Sequence, residues 1–139
     1  MKPVLLDTGV IVALLDRRGR FHKAATAAIG QTTAPLVTCE PVIAESCHLL
    51  RRVTGAREAI LANIEAGVFQ LPVTLTQCVS AVRRVMAKYS DRQVDLADAF
   101  LIHLANEFGA DEILTLDGDF DSYRWGRNNR FKMLLQSDL

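Results

Sequence analysis

A chain of 139 residues, half of them hydrophobic and 23% charged, is long enough to bury a core, and that usage excludes a disordered segment. Sixteen basic residues balance sixteen acidic ones, so bulk electrostatics select neither nucleic acid nor any other partner; only a local patch can. The three cysteines, Cys39, Cys47 and Cys78, lack CxxC spacing and sit in apolar segments, which reads as buried reduced thiols in a cytoplasmic protein. No apolar run approaches the length of a membrane span and no secretory leader is expected, so one domain over residues 1–139 is anticipated, with no membrane partner.

The first element is the run Pro3-Val4-Leu5-Leu6, which leads straight into Asp7. A short continuous apolar run reads as a strand covered on both faces, as in the middle of a parallel sheet. A short helix follows over Thr8–Leu15 with Thr8 as its cap, then a charged turn at Asp16–Arg20 and a helix over His22–Ile29 stopped by Gly30. Leu36–Cys39 reads as a strand. Pro41 suits the first turn of a helix capped by Glu40 and running to about Val53. Arg57–Ala66 forms another helix, and Val68–Val73 a weaker strand that Pro72 assigns to an edge.

Leu75 to about Tyr89 is amphipathic, with Val79, Val82, Val85 and Met86 on the apolar side. A strongly apolar helix runs from Leu96 to Phe108 and ends at Gly109. Ile113–Leu116 then repeats the opening theme, apolar residues leading into Asp117. Arg124–Arg130 reads as basic loop and Phe131–Leu135 as a last strand. Strands alternating with helices imply an α/β fold with a parallel sheet and helices on both faces.

Four carboxylates stand where solvation does not explain them. Asp7 and Asp117 end apolar strands, at the carboxyl edge where polar chemistry gathers in open α/β sheets. At 100° per residue Asp98 points into the apolar stripe of its helix, away from His103, Asn106 and Glu107. Asp95 lies close by on the same helix, as N-cap with Asp98 at N3 or as part of the site. Glu45 borders the apolar stripe of the Pro41 helix one turn in. It is either a surface residue beside Arg51 and Arg52 or a member of the same edge. Asp117-Gly118-Asp119 also suits a turn, and Asp119 and Asp121 read as solvated loop acids. Four converging carboxylates repel one another, and a hard divalent cation relieves that strain. Oxygen-only ligation without paired His or Cys suits Mg²⁺ or Mn²⁺. Such an ion lowers the pKa of bound water and neutralises charge on an attacked phosphate.

The ordered set Leu5-Leu6-Asp7-Thr8, Glu45 in Pro41-Val42-Ile43-Ala44-Glu45, Asp98 in Asp95-Leu96-Ala97-Asp98, and Asp117 in Leu114-Thr115-Leu116-Asp117-Gly118-Asp119-Phe120 resembles the PIN-domain family. Within that family it is similar to the VapC-like ribonuclease toxins of toxin–antitoxin operons. The resemblance spans Val4 to about Phe131. It implies a three-layer α/β/α fold on a five-stranded parallel sheet and Mg²⁺- or Mn²⁺-dependent endoribonuclease activity. It makes Asp7, Glu45 and Asp98 metal ligands, with Asp117 as a more variable fourth acid. Thr8 and Thr115 match positions whose hydroxyls support the site, and Asp95 an acid found in part of the family. RNA as substrate, a cognate antitoxin and a homodimer are the partners it implies.

Arg17, Arg18 and Arg20, and later Arg124, Arg127 and Arg130, would suit an RNA backbone or simply a solvated surface. Tyr123 and Trp125 would stack bases or fill a core or interface. Two other classes compete. A receiver-like phosphoacceptor domain would want paired acids after the first strand and a Lys after the last, and both are missing. A phosphatase of the dehalogenase type would show DxD where this chain has Asp7-Thr8-Gly9. A PIN fold serving as a protein-interaction scaffold remains the nearer rival, and retention of all four acids speaks against it.

Overall fold

The computed structural model describes residues 1–135. Strand β1 (Val4–Leu6) is buried along its whole length, as a strand covered on both faces must be. It is the middle of a five-stranded parallel sheet ordered β3-β2-β1-β4-β7, whose other strands are β2 (Leu36–Val37), β3 (Phe69–Gln70), β4 (Glu112–Leu114) and β7 (Lys132–Met133). Leu5 pairs with Val37 on one side and with Ile113 on the other. Among the described residues six helices flank the sheet: α1 (Thr8–Leu15), α2 (His22–Gln31), α3 (Glu40–Leu49), α4 (Ala56–Glu65), α5 (Leu75–Lys88) and α6 (Leu96–Phe108). This is the three-layer α/β/α architecture. Among the described residues no helix is long and apolar enough to cross a membrane.

The order of the strands positions the site. From β1 the chain moves outward through β2 to β3, then crosses back to β4 on the opposite side of β1. The connections therefore diverge between β1 and β4, and the crevice beyond the carboxyl ends of these two strands is where such sheets bind ligands. Asp7 follows β1 directly, and Thr115 to Asp117 follow β4.

Several local expectations are corrected. The cap of α1 is Asp7 rather than Thr8: its Oδ1 accepts the Thr8 N–H at 2.8 Å. Helix α2 passes through Gly30 and ends at Gln31, and the hydroxyl of the C-cap Thr32 donates to the Ala28 carbonyl and closes the last turn. Helix α3 is capped by the Cys39 backbone, not by Glu40, and stops at Leu49, where the Arg51 guanidinium takes the His48 carbonyl. On α5, Val82 and Val85 are buried but Val79 and Met86 are exposed, because the buried stripe is centred on Cys78, Val82, Val85 and Tyr89. An unforeseen capping box, Thr74 with Gln77, starts that helix. His103 is buried rather than solvated.

The segment expected to be basic loop is a small antiparallel hairpin, β5 (Arg124–Trp125) with β6 (Asn129–Arg130). Gly126 and Asn128 turn it with positive φ angles of 58° and 71°. The Gly126 N–H donates to Asn106 Oδ1 and anchors the hairpin to α6. The cysteines are free thiols as expected, Cys39 and Cys78 buried and Cys47 half-buried; burial pushes the Cys39 thiol up to about 12, which makes it inert.

Candidate active site

Carboxylate oxygens of Asp7, Asp98 and Asp117 lie within 4.8 Å of one another. Each comes from a different element: the end of β1, the first turn of α6, and the loop after β4. Asp7, Asp98 and Asp117 line a cavity of about 250 Å³ together with Thr8, Glu45 and Asp95. All four acids expected to converge therefore border one cavity, but not equally. Glu45 is exposed on α3 and stands outside the close group of three. Asp95 is exposed too, and its Oδ1 accepts the Asp98 N–H at 2.8 Å, so the capping geometry of Asp95 coexists with its place at the cavity. Asp119 and Asp121 are exposed loop acids, as expected.

The three central carboxylates are held by a short chain of hydrogen bonds. Thr115 Oγ1 donates to Asp7 Oδ2 at 2.7 Å and accepts the Asp117 N–H at 2.9 Å. One hydroxyl thus fixes both the rotamer of the first acid and the backbone that carries the third. The other oxygen of Asp7 is taken by the Thr8 N–H, and its own N–H donates to the Leu114 carbonyl across the β1–β4 pair. Asp117 Oδ1 accepts the Asp119 N–H, so the expected turn chemistry is also present. Beneath the site the Thr38 hydroxyl donates to the Leu6 carbonyl at 2.7 Å.

Tyr123 is the site residue that sequence reasoning missed. Its hydroxyl donates to Asp98 Oδ2 at 3.2 Å. The ring is 2% exposed and stacks no base: it packs edge-on against Tyr89 and Phe120, each with centroids 5.1 Å away, and under the Arg92 guanidinium. Nothing local marks it, because Tyr123 and Asp98 lie 25 positions apart and meet only through the tertiary fold. Trp125 is half-buried with its indole N–H on the Arg130 carbonyl.

Burial makes the metal-free corner electrostatically uncomfortable. Desolvation, helped by the nearby Asp117 and Glu45, lifts the Asp7 carboxyl to about 6 despite its two hydrogen bonds. Desolvation followed by Asp95, Asp7 and Asp117 lifts Asp98 to about 7. The Thr8 hydroxyl, in the cavity wall, is the one buried side-chain polar atom without a partner among the described residues. Three crowded carboxylates, an orphaned hydroxyl and no thiolate or imidazole ligand in the wall fit a hard divalent cation.

A PIN domain family profile matches residues 4–126. The chain belongs to the PIN domain family. The chain is similar to Ribonuclease VapC26 of Mycobacterium tuberculosis (strain ATCC 25618 / H37Rv), at 28% identity over 116 residues that cover 82% of this chain and 86% of that protein. In fold it is similar to the crystal structure of Mycobacterium tuberculosis VapC20, described as a Sarcin-Ricin loop cleaving toxin. That match has a TM-score of 0.75 at 20% identity and covers 86% of this chain and 93% of the other. The PIN profile spans every acid of the cavity, from Asp7 to Asp117.

Of the basic residues anticipated for RNA, those of the PIN domain's terminal hairpin differ in freedom. Arg124 is committed, its guanidinium donating to the Asp121 and Tyr123 carbonyls, while Arg127 and Arg130 are exposed. Arg20 packs over the Phe21 ring at 5.2 Å, and Arg17 and Arg18 are exposed beyond the end of α1.

Proposed function

We propose that this PIN domain, a single catalytic unit over residues 1–139, is a metal-dependent endoribonuclease of the VapC toxin type. Residues 136–139 lie outside the described part. The convergence of Asp7, Asp98 and Asp117 within 4.8 Å, beside the orphaned Thr8 hydroxyl, carries this reading. Family membership and likeness to a protein named a ribonuclease support it.

In this reading Asp7, Asp98 and Asp117 are the ligands, and Glu45 and Asp95 complete the wall. Mg²⁺ or Mn²⁺, when bound there, neutralises charge on the attacked phosphate and acidifies a coordinated water. The protein's own contribution is placement. Thr115 and the Thr8 N–H hold both oxygens of Asp7, and Tyr123 holds one oxygen of Asp98, so two of the three carboxylates are oriented by fixed donors. Glu45, exposed on its helix and lining the cavity, would serve as a proton acceptor or a further ligand. A cognate antitoxin and a homodimer belong to the same reading; the exposed Val79 and Met86 on α5 are apolar surface available for self-association.

Purified protein freed of any antitoxin is expected to cleave structured RNA with Mg²⁺ or Mn²⁺ and to stop in EDTA, leaving 5′-phosphate and 3′-hydroxyl ends. Cleavage that persists in chelator, or that survives Asp7→Asn, overturns the proposal. Sedimentation at micromolar concentration tests the dimer, and a monomer counts against it.

A further inference from the structure

Helices α1 and α3 both begin at the carboxyl edge of the sheet, and α2 and α4 lead back to the starts of β2 and β3. The tips of these two helical hairpins face each other across a cleft of about 800 Å³. Arg17 and Arg18 line it from the first tip, Arg52 and Thr54 from the second, with His22 and Thr26 on the wall. Its floor is Leu14, Leu15 and Ala56. The three arginines are exposed, and the only salt bridge among the described residues, Lys132 with Glu112, is elsewhere.

Other groups nearby are already engaged. Asp16, the one acid in the wall, accepts the Arg18 N–H with its Oδ1. Arg20 covers the Phe21 ring, and Arg51 caps the His48 carbonyl. His22 is held by a 2.9 Å hydrogen bond between Nδ1 and the Ala13 carbonyl, which leaves Nε2 as its free polar atom. Three guanidiniums on opposing walls, unpaired among the described residues, with Thr26 and Thr54 in the same lining, have the chemistry of a phosphate receptor.

We propose that this cleft is a second binding site, where Arg17, Arg18 and Arg52 grip backbone phosphates of the RNA substrate away from the point of cleavage. The proposal rests on the ribonuclease reading and adds to it a place for the strand. Helix α1 joins the two sites: Asp7 caps its start and Leu15, its last residue, lines the cleft, a separation of ~12 Å for eight residues. A strand held at both ends of α1 would be drawn across the carboxylate cavity. The Asp7 corner repels phosphate in the absence of metal, so a cationic anchor outside it supplies the attraction that positions the chain.

The test uses a fluorescein-labelled polyuridylate, bound in EDTA so that nothing is cut, with anisotropy read across a salt series. The variant Arg17→Ala/Arg18→Ala/Arg52→Ala is expected to bind about tenfold or more weakly, with a salt slope smaller by about 2. Replacement of the same three by lysine keeps most of the affinity, and Arg83→Ala, on the exposed face of α5, leaves binding unchanged. In steady-state cleavage the triple alanine variant raises KM for a long RNA. Its Mn²⁺-dependent rise in melting temperature stays as in the wild type, which establishes an intact metal site. Unchanged affinity, slope and KM in the alanine variant overturn the proposal, as does selective loss of polyglutamate binding with RNA binding intact, which would make the cleft a receptor for acidic peptide. Failure of the ribonuclease reading is separately visible, because the wild type itself would then cut no RNA with metal.

Discussion

The hydroxyl of Tyr123 donates to Oδ2 of Asp98 from a ring wedged between Tyr89 and Phe120. The bond engages a carboxylate that lies within 4.8 Å of those of Asp7 and Asp117, and it comes from a group that burial and the adjacent carboxylate keep protonated. Tyr123 is therefore a positioning residue for one carboxylate of the site.

Tyr123→Phe keeps the ring packing and removes only that hydrogen bond. The metal-free protein is expected to lose about 1 kcal/mol or less, while metal affinity and kcat fall by about tenfold or more. Titration of Mn²⁺ by calorimetry or by melting temperature separates the two effects. A variant with normal metal affinity and lowered stability would make the tyrosine a packing residue alone.

Asp98→Asn is expected to abolish cleavage while leaving the metal-free protein as stable as the wild type or more so. Burial and three neighbouring acids lift the Asp98 carboxyl to about 7, so the neutral amide relieves a strain that the charged form carries. The wild type should gain on the order of 1–3 kcal/mol from Mn²⁺ at concentrations well above its dissociation constant, and the variant should lose most of that gain. Melting curves with EDTA and with Mn²⁺ decide it. Destabilisation in EDTA together with a normal metal increment would remove Asp98 from the ligand set.

The same two carboxyls set a pH dependence. Both pKa values are raised in the folded protein from 3.8, to about 6 for Asp7 and about 7 for Asp98, so between pH 4 and 7 the native state holds protons that the unfolded chain has released. Their contribution to stability is complete below pH 4 and is lost as pH rises through about 6 and then 7. Metal-free protein should therefore have a lower melting temperature at pH 8 than at pH 5. Saturating Mn²⁺ should reverse the trend, since its ligands must be ionised to bind. A metal-free protein whose stability rises from pH 5 to 8 contradicts the crowding of these acids.

Thr115→Val removes the hydroxyl that serves Asp7 and Asp117 at once. Shape is kept, but the Asp117 N–H loses its acceptor and Asp7 Oδ2 its donor. A loss of about 1–3 kcal/mol is expected by denaturant titration, with cleavage reduced more than stability alone explains. Serine at this position should restore most of both. Equal activity in the valine variant would mean that Asp7 is oriented by its cap on α1 alone.

The sequence by itself determined the sheet and most of the carboxylates that border the cavity. Val4-Leu5-Leu6 and Ile113-Leu114 are continuous apolar runs because both faces of a central parallel strand are covered, and each run ends in an acid because the carboxyl edge is where the chain meets solvent. The direction of Asp98 followed from helix periodicity, which is local geometry. The tertiary structure decided the rest of the cavity and the cleft. At the cavity and the cleft the missed meetings join residues far apart in the chain: Tyr123 to Asp98, and Arg52 to the tip that carries Arg17. No propensity or spacing encodes such meetings. They exist because the crossover from β3 to β4 lays α6 and the loop after β4 against β1, and because two helical hairpins leave the same edge side by side. Capping was decided the same way: Asp7 could cap α1 and face the cavity together because its second oxygen found Thr115 on the neighbouring strand's continuation.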